Sequence, residues 1–100
     1  MKKLPLSMYR YFWDVKADEL DIERWDKYVI ARVLQWGRVE DLRWLHKTYG
    51  KEKMIEVLKK SRELSVKNAN YFAKVWGIPP MEVLCLQPEF RQQRNKYWPF

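Results

Sequence analysis

Lys67, Asn70, Tyr71 and Lys74 stand three or four positions apart in the stretch from Val66 to Trp76, the spacing that puts side chains on one face of an α-helix. Their chemistry suits a nucleic-acid groove: an amide for an adenine edge, lysine for guanine or phosphate, a phenol for phosphate. Ala69, Phe72, Ala73 and Trp76 fall on the opposite, inward face. Lys59, Lys60 and Arg62 lie just upstream, where contacts to a phosphate backbone would be expected. A helix ending near Arg62, a break at Glu63-Leu64-Ser65 and a second helix capped by Ser65 have the outline of a helix-turn-helix. The competing account is an ordinary pair of short helices with lysines on a solvated face. The break lacks the glycine often found in the motif.

A second set of residues suits a protein partner. Trp44 lies off the Leu42/Leu45 stripe, and the chain closes on Arg91, Arg94, Lys96, Tyr97, Trp98 and Phe100. Aromatic rings left outside a core act as anchors in interfaces, and arginine accompanies them. The alternative is that the end segment folds back and its rings cap the core.

Catalytic chemistry finds little to work with. His46 is the single histidine and has no nucleophile or acid at a spacing that would make it a general base. Cys85, the single cysteine, sits in Val83-Leu84-Cys85-Leu86 and reads as a small buried hydrophobe, so neither an internal disulfide nor a thiolate metal cluster is expected. The acidic run from Asp14 to Asp26 lacks the central glycine and spacing of a calcium loop, and helix caps explain it better. No glycine-rich phosphate loop and no HExxH occurs. A non-catalytic protein without cofactor or metal is the expectation.

The elements that must position these residues are helical throughout, since no stretch alternates apolar and polar residues as a strand would. Ser7 opens a short turn carrying Met8, Tyr9, Tyr11, Phe12 and Trp13. Asp21 caps a helix expected over 22–36, with Ile22, Trp25, Val29, Val33 and Trp36 as its buried stripe, Ile30 and Leu34 widening it, and Gly37 ending it in the left-handed conformation. A helix over 39–49 follows, with Leu42, Leu45 and Tyr49 on one face, then one over 51–62 with Met54, Ile55 and Leu58 inward. The capped helix over 66–76 ends at Gly77, and Pro80 starts a short helix through Leu86. The expected fold is an all-α, compact bundle of four to six short helices, with a helix-turn-helix-like pair over about 51–76. Residues 1–86 form the single domain, and 87–100 an aromatic and basic tail that packs on the core or binds a partner.

Composition agrees. Of 100 residues, 47% are hydrophobic and 16% aromatic, enough for a core without staples, and 33% are charged, enough for a solvated shell. No apolar run approaches the roughly 20 residues that span a bilayer, and no secretory leader opens the chain, so a reducing cytoplasm and no membrane contact are expected. The net charge of +7 is uneven. Residues 1–50 carry ten basic against eight acidic residues, residues 51–100 ten against five, so an acidic or polyanionic partner is expected at the second half.

Tyr11-Phe12-Trp13-Asp14-Val15, the run Tyr28-Val29-Ile30-Ala31-Arg32-Val33-Leu34-Gln35-Trp36-Gly37, Trp44-Leu45 with Tyr49-Gly50-Lys51-Glu52, and Leu64-Ser65 through Asn70-Tyr71-Phe72 together resemble an uncharacterised family of small bacterial and archaeal proteins, over essentially the whole chain. Its members often stand beside genes for nucleotidyltransferase-type toxins of the abortive-infection class. The resemblance implies an antitoxin-like or regulatory protein with such a toxin as partner; it transfers no active-site residue. DNA contact through residues 66–76 is compatible with that role. The alternative is a structural, self-associating helical domain with no nucleic-acid contact, joined through Trp44 or the tail.

Overall fold

The computed structural model describes residues 2–90. Four α-helices carry the fold: α1 (Asp26–Trp36), α2 (Val39–Tyr49), α3 (Lys51–Lys60) and α4 (Val66–Trp76). Two 3-10 turns precede them, Leu6–Tyr11 and Ala17–Glu19, and two follow, Pro80–Glu82 and Leu84–Leu86. Among the described residues the only β pairing is an isolated antiparallel bridge between Lys3 and Asp21, which fastens the start of the chain ahead of α1.

Helices α1, α2 and α3 pack pairwise on one another, and α4 packs on α3 and on the Leu84–Leu86 turn. Their inward faces meet in one core that includes Val29, Ile30, Val33, Leu45, Leu58, Leu64, Ala69 and Val83, with Met8 and Phe12 supplied by the first 3-10 turn and its exit. The Met54 and Leu58 stripe of α3 is buried as the spacing predicts, joined by Val57, while Ile55 is only half-buried. Cys85 is fully buried, and its thiol donates to the Ser61 carbonyl at 3.0 Å.

Five local expectations are corrected. The first helix begins at Asp26, not 22, because the Asp21 carboxylate accepts the Glu23 N–H at 3.1 Å and starts a turn instead of a helix. The buried stripe of α1 is then set by Val29, Ile30, Val33 and Leu34. Trp36 lies about 90° from its centre at 100° per residue. Trp25, before the first turn, is not helical at all. Both rings are therefore outside the core, 54% and 50% exposed. Gly37 is extended (φ −73°, ψ 163°), not left-handed, and a Cβ there would lie 2.6 Å from the Val33 carbonyl oxygen and 3.2 Å from Asp41 Cβ. Close approach between the end of α1 and the start of α2 is what requires glycine at this position. Finally α3 stops at Lys60, and the segment after Pro79 forms two 3-10 turns rather than one helix.

Candidate functional site

Helix α4 is the element the spacing described most faithfully. The Ser65 hydroxyl accepts the Asn68 N–H at 3.2 Å, and Gly77 closes the helix in the left-handed region at φ 66°. Two further bonds lock its first turn to α1: the Ser65 N–H donates to Gln35 Oε1, and the Asn68 side chain donates to the Gln35 carbonyl, each at 2.9 Å. Ala69, Phe72 and Ala73 are buried, and Trp76 stacks on Phe72 at 5.2 Å. This phase sends Lys67, Tyr71 and Lys74 outward on one stripe, with Asn70 half-buried at its edge and Val75 exposed beside it. Tyr71 is 59% exposed although its ring edge meets Phe72. No carboxylate occurs from Leu64 through Met81, so no residue of this stretch neutralises the two lysines.

The upstream cations are placed differently. Lys59 pairs with Glu82 at 3.1 Å and Lys60 with Glu56 at 3.5 Å. Arg62 lines a groove of about 300 Å³ between α1 and α3, together with Lys27, Tyr28, Val57 and Glu63. The break between α3 and α4 runs from Ser61 to Ser65, with Leu64 buried within it, longer than the three- or four-residue turn of a helix-turn-helix. The structure thus brings Lys67, Tyr71 and Lys74 together and leaves Lys59, Lys60 and Arg62 in other contacts. Trp44 is half-buried, edge-on to Tyr49 at 6.0 Å, and packs against the core. Arg91, Arg94, Tyr97, Trp98 and Phe100 lie outside the described residues.

A second polar centre escaped the spacing arguments. Arg32 forms a two-pronged pair with Asp14 (3.0 and 2.9 Å) and also donates to the Tyr11 carbonyl at 3.0 Å. Its guanidinium lies 4.8 Å from the centroids of both the Trp13 and Tyr28 rings. The Tyr28 hydroxyl donates to Asp14 at 2.9 Å. The Arg32 hydrogen bonds hold the Asp14 carboxyl down to about 2, with the Tyr28 bond adding to them. Nearby, the Tyr11 hydroxyl donates to Asp41 at 2.6 Å, and the same carboxylate accepts the Arg38 N–H at the start of α2. Burial, then that bond, raises the Tyr11 phenol. These ties are structural: they fasten the segment from Tyr11 to Asp14 across α1 and α2. One signal was available in the chain, since Tyr28 and Arg32 are one helical turn apart beside an otherwise apolar stripe.

Among the described residues no three His, Cys, Asp or Glu side chains come together as a metal ion would need, and no helix is long and apolar enough to cross a membrane. A small all-α bundle with outward-facing basic and aromatic surfaces is the class of protein this defines. Residues 8–58 match the model of the Family of unknown function (DUF6922), and the chain belongs to that family. The matched segment carries most of the first 3-10 turn, the Asp14–Arg32 centre, α1, α2 and most of α3, while α4 follows it. No curated protein and no solved structure matches the chain.

Proposed function

We propose that this is a non-catalytic binding protein, an antitoxin-like or regulatory partner of a nucleotidyltransferase-type toxin, and that it meets an acidic surface of that partner with the outer stripe of α4. The observation that carries the reading is the acid-free stretch from Leu64 through Met81, on which Lys67 and Lys74 flank an exposed Tyr71 and Val75. A ring and an aliphatic side chain between two ammonium groups combine an apolar anchor with charge that steers an acidic partner. The lysines set orientation and on-rate; Tyr71 supplies the desolvated contact. The partner class comes from the family resemblance of the sequence.

DNA is the second reading, favoured by Asn70 standing between the two lysines at the edge of the same stripe. There Lys67 and Lys74 would contact phosphate and Asn70 a base edge, and binding would weaken steeply with salt through counterion release.

Capture by the tagged protein from its native host, with and without nuclease, tests both. The expected result is a stoichiometric nucleotidyltransferase that survives nuclease and is lost from the Lys67→Glu/Lys74→Glu variant. Nucleic acid alone, released by salt, would replace the first reading with the second. Capture of neither would refute partner binding by this face.

A further inference from the structure

Trp13 and Trp36 meet edge to face, with ring centroids 6.0 Å apart, outside the core at the flank of α1. They are 67% and 54% exposed, and Val39, three residues past Trp36 at the start of α2, is 61% exposed. With 150–250 Å² available per aromatic side chain, the two indoles alone present roughly 300 Å² to water, about the size of the largest apolar patch on an ordinary monomer. The core closes without them.

The charges around the rings decide what fits. The segments that build the patch, 10–14 and 36–41, contribute Arg10 and Arg38 against Asp14, Glu40 and Asp41, and Arg32 lies over the Trp13 ring. Within these segments and Arg32, three cations meet three anions, so the immediate surround of the rings is close to neutral in a chain whose net charge is +7. A polyanion gains nothing here, and Arg32 already covers one face of Trp13, which spoils the ring as a platform for stacked bases. A neutral surface of alternating sign around an apolar centre is complementary to itself.

We infer that the Trp13–Trp36 face is a homodimer interface, closed by a second copy of this chain about a twofold axis. Asp14 and Asp41 are held within the monomer by Arg32 and Tyr11, and Arg10 donates to the Ser7 carbonyl at 3.1 Å, which leaves Arg38 and Glu40, both exposed at the start of α2, to pair across the axis. An isologous contact makes such a pair twice. The rings form the water-free centre and the charged residues the rim. The face lies wholly within the family-matched segment, apart from α4. Self-association and partner binding by α4 therefore stand or fall separately.

Sedimentation of the nuclease-treated full chain tests this. A dimer with a Kd on the order of 10–100 µM is expected for a patch below the usual interface size. Trp36→Ala should weaken it by at least about tenfold. Trp25→Ala, which removes an equally exposed indole from the opposite end of α1, should leave it unchanged; far-UV circular dichroism and melts confirm that each variant folds. Association should survive about 0.5 M salt, because screening takes little from a neutral interface. A monomer at about 1 mM would overturn the inference. So would association abolished by nuclease or salt, or weakened equally by Trp25→Ala.

Discussion

Gly37→Ala is a direct test of how α1 meets α2, because the sign of its effect depends on one contact. The backbone at Gly37 (φ −73°, ψ 163°) is ordinary for any L-residue. Without a clash, alanine would raise stability by about 0.4–1 kcal/mol through the unfolded chain's lost freedom. The built Cβ instead lies 2.6 Å from the Val33 carbonyl oxygen and 2.7 Å from Val33 Cγ1, a side chain with no exposure at all. A carbonyl that already accepts the Gly37 N–H at 2.7 Å cannot retreat without opening the end of α1. Forcing a methyl into a packed site costs about 1–3 kcal/mol. For a domain of this size that lowers Tm by roughly 5–20 °C. Thermal and urea melts followed by far-UV circular dichroism measure it, with an unchanged m-value showing that the unfolding transition is the same. Gly77→Ala, at a left-handed φ of 66° with open space around its Cβ, is the control for purely conformational cost, about 1 kcal/mol. A Gly37→Ala protein that melts at or above the wild-type temperature would refute the close-approach argument.

Asp14 is held at about 2, against an ordinary 3.8, by the Arg32 hydrogen bonds. A depressed native pKa stabilises the fold above the unfolded value, and that contribution disappears as pH falls from about 3.8 through 2. Melts of wild type and Asp14→Asn should therefore converge at the acid end and separate above pH 4; a carboxyl signal for Asp14 that titrates at its ordinary value by NMR would contradict the pairing. Ser65→Ala removes the cap of α4 and should cost about 1 kcal/mol in denaturant unfolding, with no change if the Asn68 N–H finds another partner. Leu58→Ala, in a fully buried site shared by the packed helices, should cost about 2–5 kcal/mol, and a loss below 1 kcal/mol would show that the core collapses around it.

Helix phase and helix ends were legible wherever the signal was local. Ser65, Gly77 and the Ala69/Phe72/Ala73 face of α4 follow from residue type and spacing, and Leu45, Met54 and Leu58 from the 3.6-residue period. Trp25 and Trp36 keep the helical spacing and still lie outside the core. An apolar residue at helical spacing counts as core only if the helix extends that far, and Asp21 bent the chain before α1 could include Trp25; Trp36 is inside α1 but about 90° from the centre of its buried stripe. The Asp14–Arg32 pair was out of reach for a different reason. Its partners lie 18 residues apart on different elements, so no period links them, and each alone reads as a solvated charge. The Trp13–Trp36 contact spans a similar separation and was hidden in the same way.

Those two hidden contacts act together on the surface that matters most for association. An exposed indole on a mobile segment loses rotamer freedom when it is buried by a partner, at about 0.5–1.5 kcal/mol per immobilised side chain. Trp13 is not free in that sense. Arg32 covers one face of its ring at 4.8 Å, the Trp36 ring meets it edge to face, and the backbone on either side is tied down where Arg32 binds the Tyr11 carbonyl and Asp14. Arg32 itself is fixed by α1 and by its two-pronged grip on one carboxylate, a geometry lysine cannot reproduce. The ordering cost is met when the monomer folds, so more of the apolar gain remains for association. Arg32→Lys should then weaken the dimer while both tryptophans are still present, more than it lowers the melting temperature of the dilute monomer. A dimer as tight as wild type in that variant would show that the rings need no such support.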